Sequence, residues 1–136
     1  MDCLEQKIEG NGLITKYQWK DVWLLSSIIM AGESDADAFP TYKKKITLPP
    51  ELAQYTNIYG VIGAGDYIDH SMFTIEELIT GIKNLLDGEF IEVENDYLKP
   101  TKKTREYLEK EIGDRKHISI KTALRIFEKL LEINSN

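Results

Sequence analysis

The sequence predicts a mainly α-helical fold carrying one small antiparallel β-hairpin, an α+β chain. Three observations predict it. A helix with a marked start, Thr74 to Asp87, runs through Gly88 into an alternating stretch, Phe90-Ile91-Glu92-Val93-Glu94. A two-residue polar turn, Asn95-Asp96, joins that stretch to a second extended run, Tyr97-Leu98-Lys99. Apolar residues recur at three- and four-residue steps on both sides of the hairpin, as amphipathic helices require.

The elements follow in chain order. Residues 1–15 have weak periodicity around Gly10-Asn11-Gly12 and read as an amino-terminal arm. From Lys16 the pattern sharpens: Trp19, Val22, Trp23, Leu25, Ile28 and Ile29 form a stripe, and Leu24 and Met30 widen it to most of the circumference. That describes a central, nearly enveloped helix whose two tryptophans anchor a core. Glu33 to Pro50 is a linker, acidic at 33–37 and basic at Lys43-Lys44-Lys45, with a short third strand expected from Lys45 to Leu48. The three lysines are either solvated or in reach of a phosphate. Pro49 and Pro50 prepare a helix start near Glu51.

Within Glu51 to Met72 a helix is expected in the second part, with Ile58, Ile62, Tyr67 and Ile68 as its apolar contacts. The glycines at 60, 63 and 65 lack the strand-turn-helix setting of a phosphate loop. Small residues at 60, 63 and 64 instead let this helix approach a neighbour closely. Next comes Thr74-Ile75-Glu76-Glu77, a capping box, with Phe73 and Leu78 placed as a hydrophobic staple. Gly88 marks a left-handed stop after Leu85 and Leu86. Beyond the hairpin, Pro100 ends the pairing and Thr101 caps a helix reaching Ile112, which Gly113-Asp114 breaks. Ser119 or Ile120 opens a last helix whose face is Ile120, Ala123, Leu124, Phe127, Leu130 and Leu131.

Composition narrows the function classes. With 136 residues, 42% hydrophobic and 29% charged, the chain is long enough for one domain with a real core. Its single cysteine, Cys3, excludes an intramolecular disulfide framework and suits a reducing compartment. The first residues lack the basic flank and apolar run of an export signal, and Val22 to Ala31 is too short to span a bilayer. A cytoplasmic protein without membrane contact is therefore expected. Net charge is −6, unevenly spread: residues 1–96 hold seven Lys/Arg against seventeen Asp/Glu, a net of −10, whereas residues 97–136 hold ten against six, a net of +4. A local basic surface, rather than the total, decides phosphate binding.

With the elements in place the chain resembles the winged-helix group, in particular small bacterial winged-helix proteins and, more distantly, MarR- and PadR-like regulators. The resemblance rests on Asp21-Val22-Trp23-Leu24-Leu25, on Gly65-Asp66-Tyr67-Ile68-Asp69-His70 leading into Phe73-Thr74-Ile75-Glu76-Glu77-Leu78, on Leu86-Asp87-Gly88-Glu89-Phe90-Ile91, and on Leu98-Lys99-Pro100-Thr101. It implies a winged-helix domain over residues 16–112, with a further amphipathic helix in 113–136. In that group the terminal helix serves either the chain's own core or a homodimer, here through Ile120, Leu124, Phe127 and Leu131.

The resemblance also implies double-stranded DNA as a partner, read by the helix before the hairpin and touched by the hairpin itself. The candidate contacts are Thr80, Lys83 and Asn84 on that helix, and Lys99, Lys102, Lys103 and Arg105 beyond the turn. The charges oppose it. The helix carries Glu76, Glu77, Lys83 and Asp87 and no arginine to read guanine, while Glu92 and Glu94 share one face of the hairpin. The competing expectation is a module that docks a protein partner or dimerises without DNA, with Tyr97 and Tyr107 on its surface. A catalytic role has no motif behind it, and no cofactor is implied. Asp66, Asp69 and His70 fall at the spacing of one helical face, which suits either a divalent metal or local capping bonds; the latter is the expectation.

Overall fold

Everything in the fold is arranged around the first helix, α1 (Trp19–Glu33). The computed structural model describes residues 17–33 and 46–133; the predicted arm, Cys3 and the three lysines at 43–45 lie outside the described residues. After α1 come α2 (Pro50–Ala53), α3 (Ile58–Asp69), α4 (Ile75–Asp87), β1 (Ile91–Glu94), β2 (Tyr97–Pro100), α5 (Lys102–Ile112) and α6 (Ile120–Leu130). The predicted class holds: mainly helical, with a single two-stranded antiparallel hairpin among the described residues. None of these helices is long and apolar enough to cross a membrane.

Helix α1 packs against α3, α4, α6 and β2, and every residue from Asp21 to Ile28 is buried. Its amino end is closed by Asp21, whose carboxylate accepts from the Gln18 amide at 2.9 Å. Trp23 is the anchor. Its indole N–H donates to the Gly65 carbonyl at 2.9 Å, and its ring stacks on Phe73 with centroids 3.8 Å apart. Trp19 contributes less: it stacks on Trp23 but remains 38% exposed.

Helix α3 buries Ile58, Val61, Ile62 and Gly65, a run at the three- and four-residue spacing of one helical face. Tyr67 falls off that face and is 63% exposed, so its predicted core contact is corrected. Close approach between helices occurs, but its tightest point is Gly65, where a Cβ would overlap the Phe73 ring; at Gly60 a Cβ would meet only the Ala31 methyl, at 3.6 Å.

The hairpin pairs Glu94 with Tyr97, Val93 with Leu98 and Glu92 with Lys99. Asn95 and Asp96 both hold positive φ, 53° and 65°, as a tight I′ turn requires. The alternation expected of β1 is not a burial pattern, because Phe90 and Ile91 are both buried and Val93 is exposed. The reason is position: β2 lies against α1, so Leu98 is covered, whereas β1 is the outer strand.

The expected third strand is absent over 46–48, and a side chain stands in for it. The Asn57 amide donates to the Leu98 carbonyl at 2.8 Å, and its oxygen accepts from the Leu98 amide at 3.0 Å. The Thr56 amide adds a bond to the Asp96 carbonyl at 2.8 Å. Gly88 also departs from expectation. It is right-handed, and the following Glu89 carries the positive φ of 63°. Gly88 is needed for space instead, since a Cβ there would overlap the Tyr17 hydroxyl and crowd Phe90.

Helix α6, capped by Ser119, returns to the same core. Ile126, Phe127 and Leu131 are buried with the α1 residues, and Ala123, Leu124 and Leu130 pack partly against them. Phe127 and Leu131 are thereby withdrawn from the predicted dimer face, because the face they share closes the chain's own interior. Lys129 fastens α6 to α5 through Glu111 at 2.8 Å.

Alanine in place of a mid-helix glycine normally stabilises by up to about 1 kcal/mol. Gly60→Ala is expected to follow that rule. Gly65→Ala is expected to reverse it, costing about 1–3 kcal/mol by forcing Phe73 off Trp23. Urea unfolding of the two variants measures the contrast, and equal shifts of the same sign would refute the packing account.

Candidate interaction surface

Helix α4 carries three of the candidate contacts, and its start is closed by reciprocal side-chain bonds. The Thr74 hydroxyl accepts from the Glu77 amide at 3.0 Å while the Thr74 amide donates to the Glu77 carboxylate at 2.8 Å. This is the predicted capping box, complete. Lys20, from α1, adds an ion pair to Glu77 at 2.9 Å. Leu78, Ile82 and Leu85 bury one face; the opposite side carries the candidate readers.

Those readers are unevenly available. Thr80 and Lys83 are exposed and Asn84 is half-buried. Lys83 is paired with Asp87 at 2.9 Å, and the Asn84 carbonyl accepts the Tyr17 hydroxyl at 3.3 Å. Beside them runs a groove of about 350 Å³ bordered by Lys20, Asp21, Glu76, Glu77, Thr80 and Asn84. Three carboxylates face one lysine there, and that lysine is bound to Glu77. Asp21 is buried deeply enough that desolvation pushes its carboxyl above the usual range, partly offset by the Gln18 amide.

The cations beyond the turn are engaged in the fold. Lys99 is held by Glu94 and lies 4.0 Å from Glu92, so the acids on the hairpin face neutralise it. Glu94 is correspondingly held below the usual carboxylate range, first by its bond to Lys99. Lys103 donates to the Gly88 carbonyl at 2.9 Å and sits 4.3 Å above the Phe90 ring. Arg105 donates to the Pro100 carbonyl at 2.8 Å. The Lys102 side chain is 81% exposed, with Glu106 at 4.0 Å. The predicted contacts thus split between two regions, α4 and the stretch from β2 into α5, and most of them already have partners.

Sequence reasoning missed what the surface does expose. Met72, Ile75 and Ile79 are 46%, 44% and 37% exposed, and Ile75 and Ile79 stand one turn apart on α4. The signal was present: 75 and 79 form an i, i+4 pair beside the buried row of 78, 82 and 85. From Ile79 the apolar surface continues into a shallow groove of about 190 Å³ between α2 and α4, floored by Leu52, Ile82 and Leu86. On the hairpin, Val93 and Tyr97 are also exposed, whereas Tyr107 is half-buried against the core and offers less surface than expected.

The Asp66, Asp69 and His70 spacing does not survive as a helical face. His70 is the left-handed cap of α3, with φ 56°, and its amide donates to the Asp66 carbonyl at 2.7 Å. Among the described residues no group of three His, Cys, Asp or Glu side chains stands close enough to hold a metal ion.

Comparison with family models, with curated proteins and with solved structures finds no match to this chain.

The Glu77 carboxyl is held below the usual range, first by the Thr74 amide and then by Lys20. Because its folded value lies below its unfolded one, its contribution is complete above the ordinary carboxylate range and is lost as pH falls through the folded value. Glu77→Gln is therefore expected to flatten the acid limb of the stability profile, and Thr74→Ala to cost about 1 kcal/mol at neutral pH. Urea melts across that range test both; an unaltered acid limb in the Glu77 variant would count against the assignment.

Proposed function

We propose that this chain is a non-catalytic winged-helix module that docks a protein partner rather than reading DNA. In this reading α1, α3 and α4 are the three helices of the domain, β1 and β2 are its wing, and α6 is the added carboxy-terminal helix. The observation that carries it is the outer side of α4. Where a DNA reader would present unpaired cations, this helix presents Ile75 and Ile79, with Met72 just ahead of them and Glu51 and Glu76 exposed nearby; its one lysine, Lys83, is paired with Asp87. Apolar anchors inside an acidic rim favour a partner segment that is amphipathic and basic, with aliphatic side chains for the α2–α4 groove and Lys or Arg for the rim. Glu92 and Glu94 on the wing extend the same charge.

The second reading, duplex DNA, draws on Thr80, Lys83 and Asn84 side by side on α4 and on the open Lys102. It requires Lys83, Lys99, Lys103 and Arg105 to leave bonds they already make. A homodimer through Ile120 and Leu124 is a third, weaker expectation, since their helix packs on its own chain.

The readings separate by titration of a labelled generic duplex, followed by anisotropy at low and moderate salt. No binding at either salt is expected. Capture from cell extract by the native chain and by an Ile75→Asp, Ile79→Asp variant should then retain one protein only on the former. Micromolar, steeply salt-dependent duplex binding that alanine at Lys102, Lys103 and Arg105 abolishes would overturn docking in favour of DNA.

A further inference from the structure

Away from α4, a cavity of about 290 Å³ lies where α1, α3, α5 and α6 meet. Its walls are aliphatic and aromatic: Ile29 from α1, Ile68 from α3, Leu108 and Ile112 from α5, and Phe127 from α6. One buried polar group stands in this wall. The Ser26 hydroxyl is sealed from solvent and has no hydrogen-bond partner. An unpaired buried hydroxyl costs about 1–3 kcal/mol, and the neighbouring Ser27 shows the usual escape, donating to the Trp23 carbonyl at 2.7 Å. Ser26 does not take the equivalent bond to its own preceding turn.

The charge around this cavity is the second observation. In a chain of net charge −6, no Asp or Glu among the described residues lines it. Its charged border is Lys116, beside His117, and both are exposed. The third is the adjoining start of α6, an eleven-residue helix with no acid in its first turn; Ser119 takes the Thr122 amide, and the remaining first-turn amides and the dipole favour an anion. Apolar walls, an unsatisfied hydroxyl and an acid-free cationic rim describe complementarity to one kind of molecule.

We propose that this cavity binds an apolar monocarboxylate, a medium-chain or aryl acid. Its hydrocarbon body lies among Ile29, Leu108, Ile112 and Phe127. Its carboxylate meets Lys116 and the first turn of α6, and a change of the Ser26 rotamer turns the sealed hydroxyl into the cavity, where it donates to that carboxylate. The site is independent of the docking surface on α4.

Calorimetric titration of the full chain with octanoate and with octanol, a probe pair alike in body and different in charge, tests the proposal. Saturable one-to-one binding of octanoate is expected, with octanol about tenfold weaker. Lys116→Gln should remove that difference, and Ser26→Ala should weaken octanoate about fivefold, the share of one hydrogen bond. Ala123→Phe, which fills the cavity, should abolish binding. Should that variant fail to fold, the Lys116 and Ser26 variants still decide the matter. Absence of saturable octanoate binding, equal affinity for the two probes, or binding unmoved by either of those two substitutions would overturn the proposal.

Discussion

The contact on which the rest of the structure depends is the stack of Trp23 on Phe73 above Gly65. It joins three elements at one point: α1 supplies the indole, α3 supplies both a carbonyl for the indole N–H and a bare Cα for the ring, and Phe73 leads directly into the cap of α4. The geometry is exacting because each partner serves two others. A larger residue at 65 would displace Phe73, and Phe73 sets where Thr74 begins the next helix. The start of α4 is thus determined from inside the core as well as by its own capping box. Lys20 reaches Glu77 from α1, so the same two helices are tied again at the surface.

The hairpin is held by a different device, the capture of single backbone groups by side chains. Thr104, fully buried, donates to the Phe90 carbonyl at 2.8 Å, and Thr101 donates to the Glu89 carbonyl at 2.8 Å. Asn57 holds the other side through Leu98. Lys103 covers Phe90 and satisfies Gly88. A two-stranded sheet is marginal alone, and here hydroxyls, an amide and an ammonium supply what further strands would. Two of the basic residues after the turn, Lys103 and Arg105, thus serve the fold as donors to backbone carbonyls.

Local chemistry was legible in the sequence, and long-range pairing was not. The capping box at Thr74, the cap at Thr101 and the Asn95-Asp96 turn each depend on residues within a few positions, and each stands in the structure as read; of the two starts left open for the last helix, Ser119 is its cap and Ile120 its first residue. Errors arose where distant residues decide. Gly88 reads as a left-handed stop until Tyr17, far away in the chain, is seen to need the space. Val93 reads as half-buried until β1 proves to be the outer strand. For the surface, the charges of the candidate DNA contacts were visible, but their partners were not: nothing in the spacing of Lys103 announces the Gly88 carbonyl. The unpaired hydroxyl of Ser26 shows only once the helices are packed together.

The amide of Asn57 also bears on edge-to-edge pairing of the hairpin. Along β2, the outward-facing amide and carbonyl of Leu98 are both occupied by that one side chain, so another chain could not add a strand there without expelling it. Along β1, the free edge is four residues long and flanked by Glu92 and Glu94, which penalise an identical strand laid alongside through like-charge repulsion. One edge is plugged and the other is guarded by charge. A hairpin exposing Val93 and Tyr97 can in this way stay at the surface without seeding cross-β growth.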